Sequence, residues 1–237
     1  MKQERLSVIS CRDLNGTVFE LKLAGASVMR AGQFVELSVP GFFLRRPISV
    51  ADSDESTLTL LIKTVGEGTK KLRTLAAGEV LDALTGLGNG FVLTGERPLL
   101  AGGGIGCAPL YKLAKEFAAA GIRPHAVLGF RNAEEVYYAE EFARYCDVTV
   151  ATDDGSLGVK GNAVSAAADI PHDVFYACGP QVMLRAAAGA LGRGQVSLEA
   201  RMGCGFGACM GCSIVTTHGY ARVCKEGPVF GAEEVVW

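Results

Sequence analysis

Four cysteines near the C-terminus have the residue type and spacing to hold an iron–sulfur centre. Cys204, Cys209 and Cys212 form a C-x4-C-x2-C run, and Cys224 follows after eleven intervening residues. This is the spacing of a four-thiolate [2Fe–2S] site, which carries electrons one at a time. Such a centre needs four sulfurs converging on two irons, with backbone N–H groups aimed at the sulfurs to stabilise their negative charge. Gly203, Gly205, Gly207 and Gly211 interleave the cysteines, so the loop can curl without side chains in its way. Ser213–Thr217 and Tyr220–Cys224 flank His218-Gly219 and predict a hairpin with a two-residue turn. In that register Thr217 faces Tyr220, Ser213 faces Cys224, and the fourth thiolate returns beside Cys212. Zinc is the competing reading, but zinc modules usually present two C-x2-C knuckles and this chain has one. Disulfides suit small, loop-rich, secreted scaffolds. Buried structural cysteines are a poor account of three within nine glycine-rich residues.

Three further groups could bind an anionic cofactor. In Arg45-Arg46-Pro47-Ile48-Ser49, a guanidinium offers forked donors to a pyrophosphate, and Ser49 shares a strand face with Pro47. A solvated arginine pair beside a turn proline is the alternative. Gly66-Glu67-Gly68-Thr69 leads into a helical stretch over 70–76, whose N-terminus would present free N–H groups. A plain turn with a helix cap explains it equally well. Gly102-Gly103-Gly104-Ile105-Gly106-Cys107-Ala108-Pro109 follows an apolar strand and meets the dinucleotide fingerprint only in part, because Cys107 holds the third glycine position. No acidic residue ends the second strand, where Arg131-Asn132 stands instead. Thr152–Ser156 and Cys178-Gly179-Pro180 each follow a further apolar strand. Ligands of parallel sheets bind at the carboxyl ends of strands, so three such turns on one edge predict a binding crevice.

The elements that must position these residues change character twice. Strands are expected at 5–11, 17–22, 34–39, 46–50 and 57–64, a spacing that suggests a small antiparallel barrel. From Pro98 onward strands at 99–101, 126–129, 147–152 and 174–177 alternate with helices at 109–120, 134–145, 163–168 and 180–191, implying a parallel sheet covered on both faces. The chain therefore divides into regions 1–95, 96–196 and 197–237. Lysine plus arginine number 23 against 25 acidic residues, so nothing points to nucleic acid or an anionic membrane. No run of about 18 apolar residues is present, and Met1-Lys-Gln-Glu-Arg-Leu6 lacks a signal peptide's apolar stretch. With Cys11, Cys107, Cys146 and Cys178 scattered, the expectation is a reducing cytoplasm.

Taken in order, Arg46-Pro-Ile-Ser49, Gly66-x-Gly-Thr69, Gly102-Gly-Gly-x-Gly106-x-x-Pro109 and Cys178-Gly-Pro180 resemble the ferredoxin–NADP reductase superfamily. With the four cysteines added, nearly the whole chain resembles the electron-transfer subunits of B-type dihydroorotate dehydrogenases. The resemblance implies an FAD-binding antiparallel barrel over 1–95, an NAD-binding α/β domain over 96–196 and a [2Fe–2S] module over 197–237. Arg46, Pro47, Ile48 and Ser49 would lie along the flavin and its pyrophosphate, with Leu61, Ile62, Lys63, Gly68 and Thr69 completing the FAD site. Lys63-Thr64 stands where the family more often has an arginine. Gly102, Gly103, Gly104 and Gly106, with Cys178, Gly179 and Pro180, would receive NAD(H), and Cys204, Cys209, Cys212 and Cys224 would bind the cluster.

The same resemblance implies a function. Electrons would pass between NAD+ and the FMN of a separate dihydroorotate-oxidising subunit, through FAD and the cluster, in pyrimidine (UMP) biosynthesis. It also implies a heterotetramer of two such chains with two catalytic ones, and no catalytic acid or base on this chain. Alternatives are a related flavin/iron–sulfur subunit serving a hydrogenase or sulfite reductase, and a zinc-stabilised, non-redox nucleotide-binding module.

Overall fold

Alternation of apolar and polar residues builds the first half of the chain. The computed structural model describes residues 1–237, beginning with β1 (Lys2–Asp13), β2 (Val18–Ala24), β3 (Phe34–Leu37), β4 (Arg46–Ser53), β5 (Thr57–Lys63) and β6 (Val80–Leu87). These close into an antiparallel barrel in the order β1-β2-β5-β4-β3-β6, which leaves no free edge. Residues two apart point inward together: Phe19, Leu21 and Leu23 from β2 meet Leu58, Leu60 and Ile62 from β5 in the barrel core. The strand β6 is missing from the sequence expectation because Asp82 and Gly86 dilute its β-forming character. Helix α1 (Glu67–Arg73) lies between β5 and β6 and starts three residues before the expected 70. Its first turn is fixed by Thr69 Oγ1, which accepts from the N–H of Val65 at 2.9 Å and of Gly66 at 3.1 Å.

The second half contains β7 (Pro98–Gly103), α2 (Cys107–Ala119), β8 (His125–Phe130), α3 (Ala139–Ala143), β9 (Asp147–Thr152), β10 (Val159–Lys160), α4 (Ala163–Ala167), β11 (Val174–Cys178), α5 (Gln181–Ala190) and β12 (Gly194–Ser197). The last elements are β13 (Ser213–Thr216), β14 (Gly219–Arg222) and β15 (Val229–Gly231). One seven-stranded sheet runs β10-β9-β8-β7-β11-β12-β15, parallel except for β15. Its two faces feed two cores. Leu100, Ala126, Leu128 and Tyr176 pack with α2 and, from the barrel, Val18, Ala51 and Leu61. Leu99, Ala101, Val127 and Phe175 pack with α4, α5 and the C-terminal segment. The barrel and sheet are also tied by polar bonds. Lys112 Nζ donates to the Ser53 carbonyl at 2.7 Å, Ala31 N–H donates to Glu116 at 3.0 Å, and Tyr138 Oη donates to the buried Glu20 carboxylate.

Two local expectations need correction. The helix expected over 134–145 is broken into a 3-10 turn at Ala133–Glu135 and the short α3. Tyr138 takes a left-handed conformation, φ 62°. Its hydroxyl reaches Glu20, and that of Tyr137 reaches the Gly104 carbonyl at 2.9 Å. Those tertiary bonds override the local helical pattern. The C-terminal hairpin turns at Thr217-His218, so Thr216 faces Gly219 and Ser213 faces Arg222. Thr216 Oγ1 fixes this register, donating to the Gly219 carbonyl at 2.8 Å and accepting from His218 N–H at 3.2 Å. Cys224 lies beyond the ladder, yet still returns beside Cys212 because Val223 N–H donates to the Cys212 carbonyl at 3.1 Å.

Candidate functional site

A cleft of about 330 Å³ opens between barrel and sheet. It is lined by Arg46, Pro47, Ile48 and Ser49 from β4, Leu61, Ile62 and Lys63 from β5, and Thr69 from α1. The opposite wall comes from Ile105, Ala108 and Pro109 and from the stretch 197–200 with Met202. Eight of the nine expected flavin-site residues thus share one cleft, and the ninth, Gly68, lies directly behind it. A Cβ on Gly68 would lie 2.8 Å from Arg46 Cζ, so the guanidinium rests on bare backbone there. Arg46 also stacks over Phe42, 4.8 Å from the ring centroid. Arg45 turns away and is spent on Asp82 and two backbone carbonyls. Apolar walls with a forked cation at one end suit a flat ring system carrying an anionic tail. Glu199 lines the same cleft; the residue is exposed to solvent, yet partial desolvation of its carboxyl by the cleft raises it above the usual range. Sequence reading missed it, since a lone acid between Leu198 and Ala200 has no spacing signal.

A second crevice, about 390 Å³, lies at the carboxyl ends of the parallel strands. Gly103, Gly104 and Pro180 line it, together with Gly129, Phe130, Arg131, Glu135, Asp153 and Asn162. Lys63 borders both this crevice and the first cleft. Gly102, Gly106, Cys178 and Gly179 do not line it; they pack the two turns together beneath. A Cβ on Gly106 would stand 2.6 Å from Gly179 N, so only glycine lets the turns meet. The Cys178 side is 2% exposed, and burial pushes its thiol up to about 12. The acid that sequence did not find after β8 is supplied four residues later. Asn132 Oδ1 accepts from Glu135 N–H at 3.1 Å, closing the 3-10 turn, and Glu135 pairs with Arg131 through Nε–Oε1 at 2.7 Å.

Among the four C-terminal cysteines, Cys209 neighbours Cys204, and Cys212 and Cys204 both act on Cys224. Backbone N–H groups address the sulfurs, from Ala208 and Cys209 to Cys204 Sγ at 3.2 and 3.4 Å, and from Cys224 to Cys212 Sγ at 3.4 Å. Burial alone would raise the Cys204 thiol, but the N–H groups of Cys209, Phe206 and Ala208 outweigh it and lower it to about 6. The Cys224 thiol is pushed up to about 12, by burial and then by the Cys212 thiol. Paired sulfurs facing N–H donors fit a two-iron centre. Beneath this loop lies Glu36 of β3, 1% exposed, with Oε1 lacking any hydrogen-bond partner. Its carboxyl is raised to about 7 by burial and by Cys204, against the pull of Arg45 and Arg46. Cys209, Phe206 and Met210 are on the surface.

Comparison with known proteins gives a consistent result. Residues 199–236 match the family described as the iron-sulfur cluster binding domain of dihydroorotate dehydrogenase B. The chain is 40% identical, over all of its length and 99% of the relative's, to the "Dihydroorotate dehydrogenase B (NAD(+)), electron transfer subunit" of Bacillus cereus (strain B4264). Identity to the protein of that name from Bacillus mycoides (strain KBAB4) is also 40%, at the same coverage. Among solved structures, the NADH-dependent reduced ferredoxin-NADP oxidoreductase is similar at TM-score 0.89 and 29% identity, over 98% of this chain and 90% of that one. Phthalate dioxygenase reductase shares the fold at TM-score 0.69 and 17% identity, over 90% and 86%.

Proposed function

The chain belongs to the family of electron-transfer subunits of dihydroorotate dehydrogenase B, and from that premise we propose how its residues divide the work. It is the NAD-linked iron–sulfur flavoprotein subunit of that oxidoreductase, in pyrimidine biosynthesis, and its cofactors are FAD, a [2Fe–2S] cluster and NAD(H). When bound, FAD exchanges a hydride's two electrons with NAD(H), and the cluster passes them singly. The finer assignments are proposals. Region 1–95 binds FAD, 96–196 binds NAD(H) and 197–237 holds the cluster. Arg46 grips the flavin's pyrophosphate, Pro47, Ile48 and Ser49 run along the ring, and Leu61, Ile62, Lys63, Gly68 and Thr69 complete the site. Gly103, Gly104 and Pro180 receive the dinucleotide, on a base built by Gly102, Gly106, Cys178 and Gly179. Cys204 with Cys209, and Cys212 with Cys224, each supply one pair of thiolates. The catalytic subunit, carrying FMN, approaches the exposed side at Cys209, and two copies of each chain assemble in the cytoplasm.

One observation carries this reading. Met202 lines the flavin cleft and Cys204 follows two residues later, so the Cα atoms of a cleft-wall residue and of the first cluster cysteine are at most about 7 Å apart. The test is an anaerobic visible spectrum of the purified chain, with iron, sulfide and flavin assayed on one sample, repeated for Cys209→Ser. Flavin bands over a red-brown absorbance, and about two irons and two sulfides per chain, are expected from the parent. The variant should lose the red-brown component and electron transfer to the partner, while NADH still bleaches its flavin. A colourless zinc protein, or full dihydroorotate:NAD+ activity in the variant, would remove the relay.

A further inference from the structure

β3 runs between the flavin cleft and the cluster loop, and one of its outward side chains is an acid that the packing does not call for. Val35 and Leu37 face the barrel core, so Phe34 and Glu36 face outward. Phe34 lines the flavin cleft, as does Pro47, the partner of Glu36 across the β3–β4 ladder. Glu36 is not among the residues of that cleft; it carries the Cys204 loop. A Cβ on Gly205 would lie 2.6 Å from Glu36 Oε1, so the residue after Cys204 rests directly on the carboxylate. We propose that Glu36 sets the reduction potential of the iron–sulfur centre: its carboxylate opposes the added electron and holds the centre's potential down relative to the flavin's. This rests on the assignment of the cluster to Cys204, Cys209, Cys212 and Cys224.

Burial and the lack of a partner give this charge its reach. Glu36 is 1% exposed, and its Oε1 is the one buried side-chain nitrogen or oxygen in the chain without a hydrogen-bond partner. A buried acid with an unsatisfied oxygen weakens a fold, and an apolar residue of similar volume would occupy the site at lower cost. Two cations stand near enough to act on the carboxylate, but both are held elsewhere. Arg45 pairs with Asp82, and Arg46 donates to the Leu44 carbonyl and stacks on Phe42; neither forms an ion pair with Glu36. Water and salt screen a surface carboxylate, whereas one buried under the loop acts on the centre with little screening. The potential of such a centre follows the net charge around it, the hydrogen bonds to its sulfurs and its exposure. The N–H groups on the Cys204 and Cys212 sulfurs raise that potential, and Glu36 opposes them. Glu36 gains no electron and changes no bond. It shifts the energy of an exchange in which the flavin is oxidised by one electron and the centre is reduced by one.

The test is a potentiometric titration of the FAD- and cluster-loaded chain at pH 9, above the Glu36 value of about 7, so that the carboxylate is ionised. The reduced centre is followed by electron paramagnetic resonance and the flavin by visible absorbance. Glu36→Gln should raise the centre's midpoint potential until its one-electron equilibrium with the flavin favours the centre about tenfold more, a shift of about 59 mV. The flavin potential should move less. Glu36→Leu, which removes the unpaired oxygen altogether, should shift the centre in the same direction, and it decides the matter if the amide variant does not assemble. Glu36→Asp retains the charge and should stay close to the parent. Iron, sulfide and flavin contents report assembly throughout. An unmoved centre in the neutral variants, a shift in Glu36→Asp as large as that in Glu36→Gln, or a flavin that moves more than the centre would overturn the inference. If the parent gives no signal of a reduced [2Fe–2S] centre, the assignment of the cluster itself fails.

Discussion

Replacing Gly205 with alanine tests whether the cluster loop is seated on the flavin barrel. Gly205 has φ +75°, and an added Cβ would lie 2.6 Å from both Cγ and Oε1 of Glu36. Ordinary contact begins near 3.4 Å, so the loop or the carboxylate must give by about 0.8 Å. Glu36 has little room to do so: it is 1% exposed, on a strand hydrogen-bonded to neighbours on both sides. Overpacking of this kind costs about 1–3 kcal/mol, and a left-handed alanine about 1–2 more. Gly205→Ala should therefore destabilise the loop by about 2–5 kcal/mol. The assay is anaerobic urea unfolding of the loaded chain with cluster and flavin absorbance followed separately, because a chain with several cofactors need not unfold in one step. The cluster signal should be lost at lower urea than in the parent, with the flavin signal less affected. Glu36→Ala in the same chain should restore the overpacking part and leave the backbone strain. If the two substitutions combine additively to within about 0.5 kcal/mol, the loop is not seated on Glu36 and the reasoning is wrong.

Tyr138→Phe should cost about 1.5–3 kcal/mol at pH 7, because it removes a buried hydrogen bond to a carboxylate and leaves Glu20 with Arg12 and Lys22 alone. Burial raises Glu20, yet bonds from Tyr138 and Arg12 and the charge of Lys22 outweigh it, so its folded value lies below 4.5. Its stabilising contribution is therefore present above pH 4.5 and is lost as pH falls through the folded value. The gap between parent and variant in urea unfolding should shrink from pH 7 to pH 4; a constant gap would contradict the linkage. Gly106→Ala should force apart the turns after β7 and β11, lowering stability by about 1–3 kcal/mol and weakening NAD+ binding by calorimetry. Parental values in both measurements would show that the close approach of Gly106 to Gly179 does not shape the crevice.

The cluster was legible because its chemistry demands four sulfurs at restricted spacings, and no packing role imitates that pattern. The alternation of Phe19, Leu21 and Leu23, and later of strands with helices, made barrel and sheet legible for the same reason: a period has few physical causes. What escaped depended on contacts distant in sequence. Tyr138 breaks a helical pattern to reach Glu20, 118 positions away. Glu135 joins the crevice at the strand ends only because a turn folds it back on Arg131. Glu199 carries no local signal, and its place in the cleft between barrel and sheet follows from the packing of one against the other. The register of the last hairpin turned on one hydroxyl, that of Thr216.

The route of the chain around the cluster has a consequence for how the holoprotein is made. Segment 199–228 leaves the end of β12 and returns as β15, with Ser197 opposite Val229 on adjacent strands. Leu198 N–H donates to the Pro228 carbonyl at 2.9 Å, and Asn89 Nδ2 donates to the carbonyls of Glu226 and Val229 at 3.0 and 2.7 Å. Both ends of the loop are thus fastened by hydrogen bonds that do not involve the cysteines. Bringing thiols together within a loop already closed costs far less chain entropy than gathering them from an open chain. A frame closed in this way predicts that loss of iron and sulfide leaves the nucleotide sheet folded, unlike loss of the metal from a small zinc finger, which unfolds the domain.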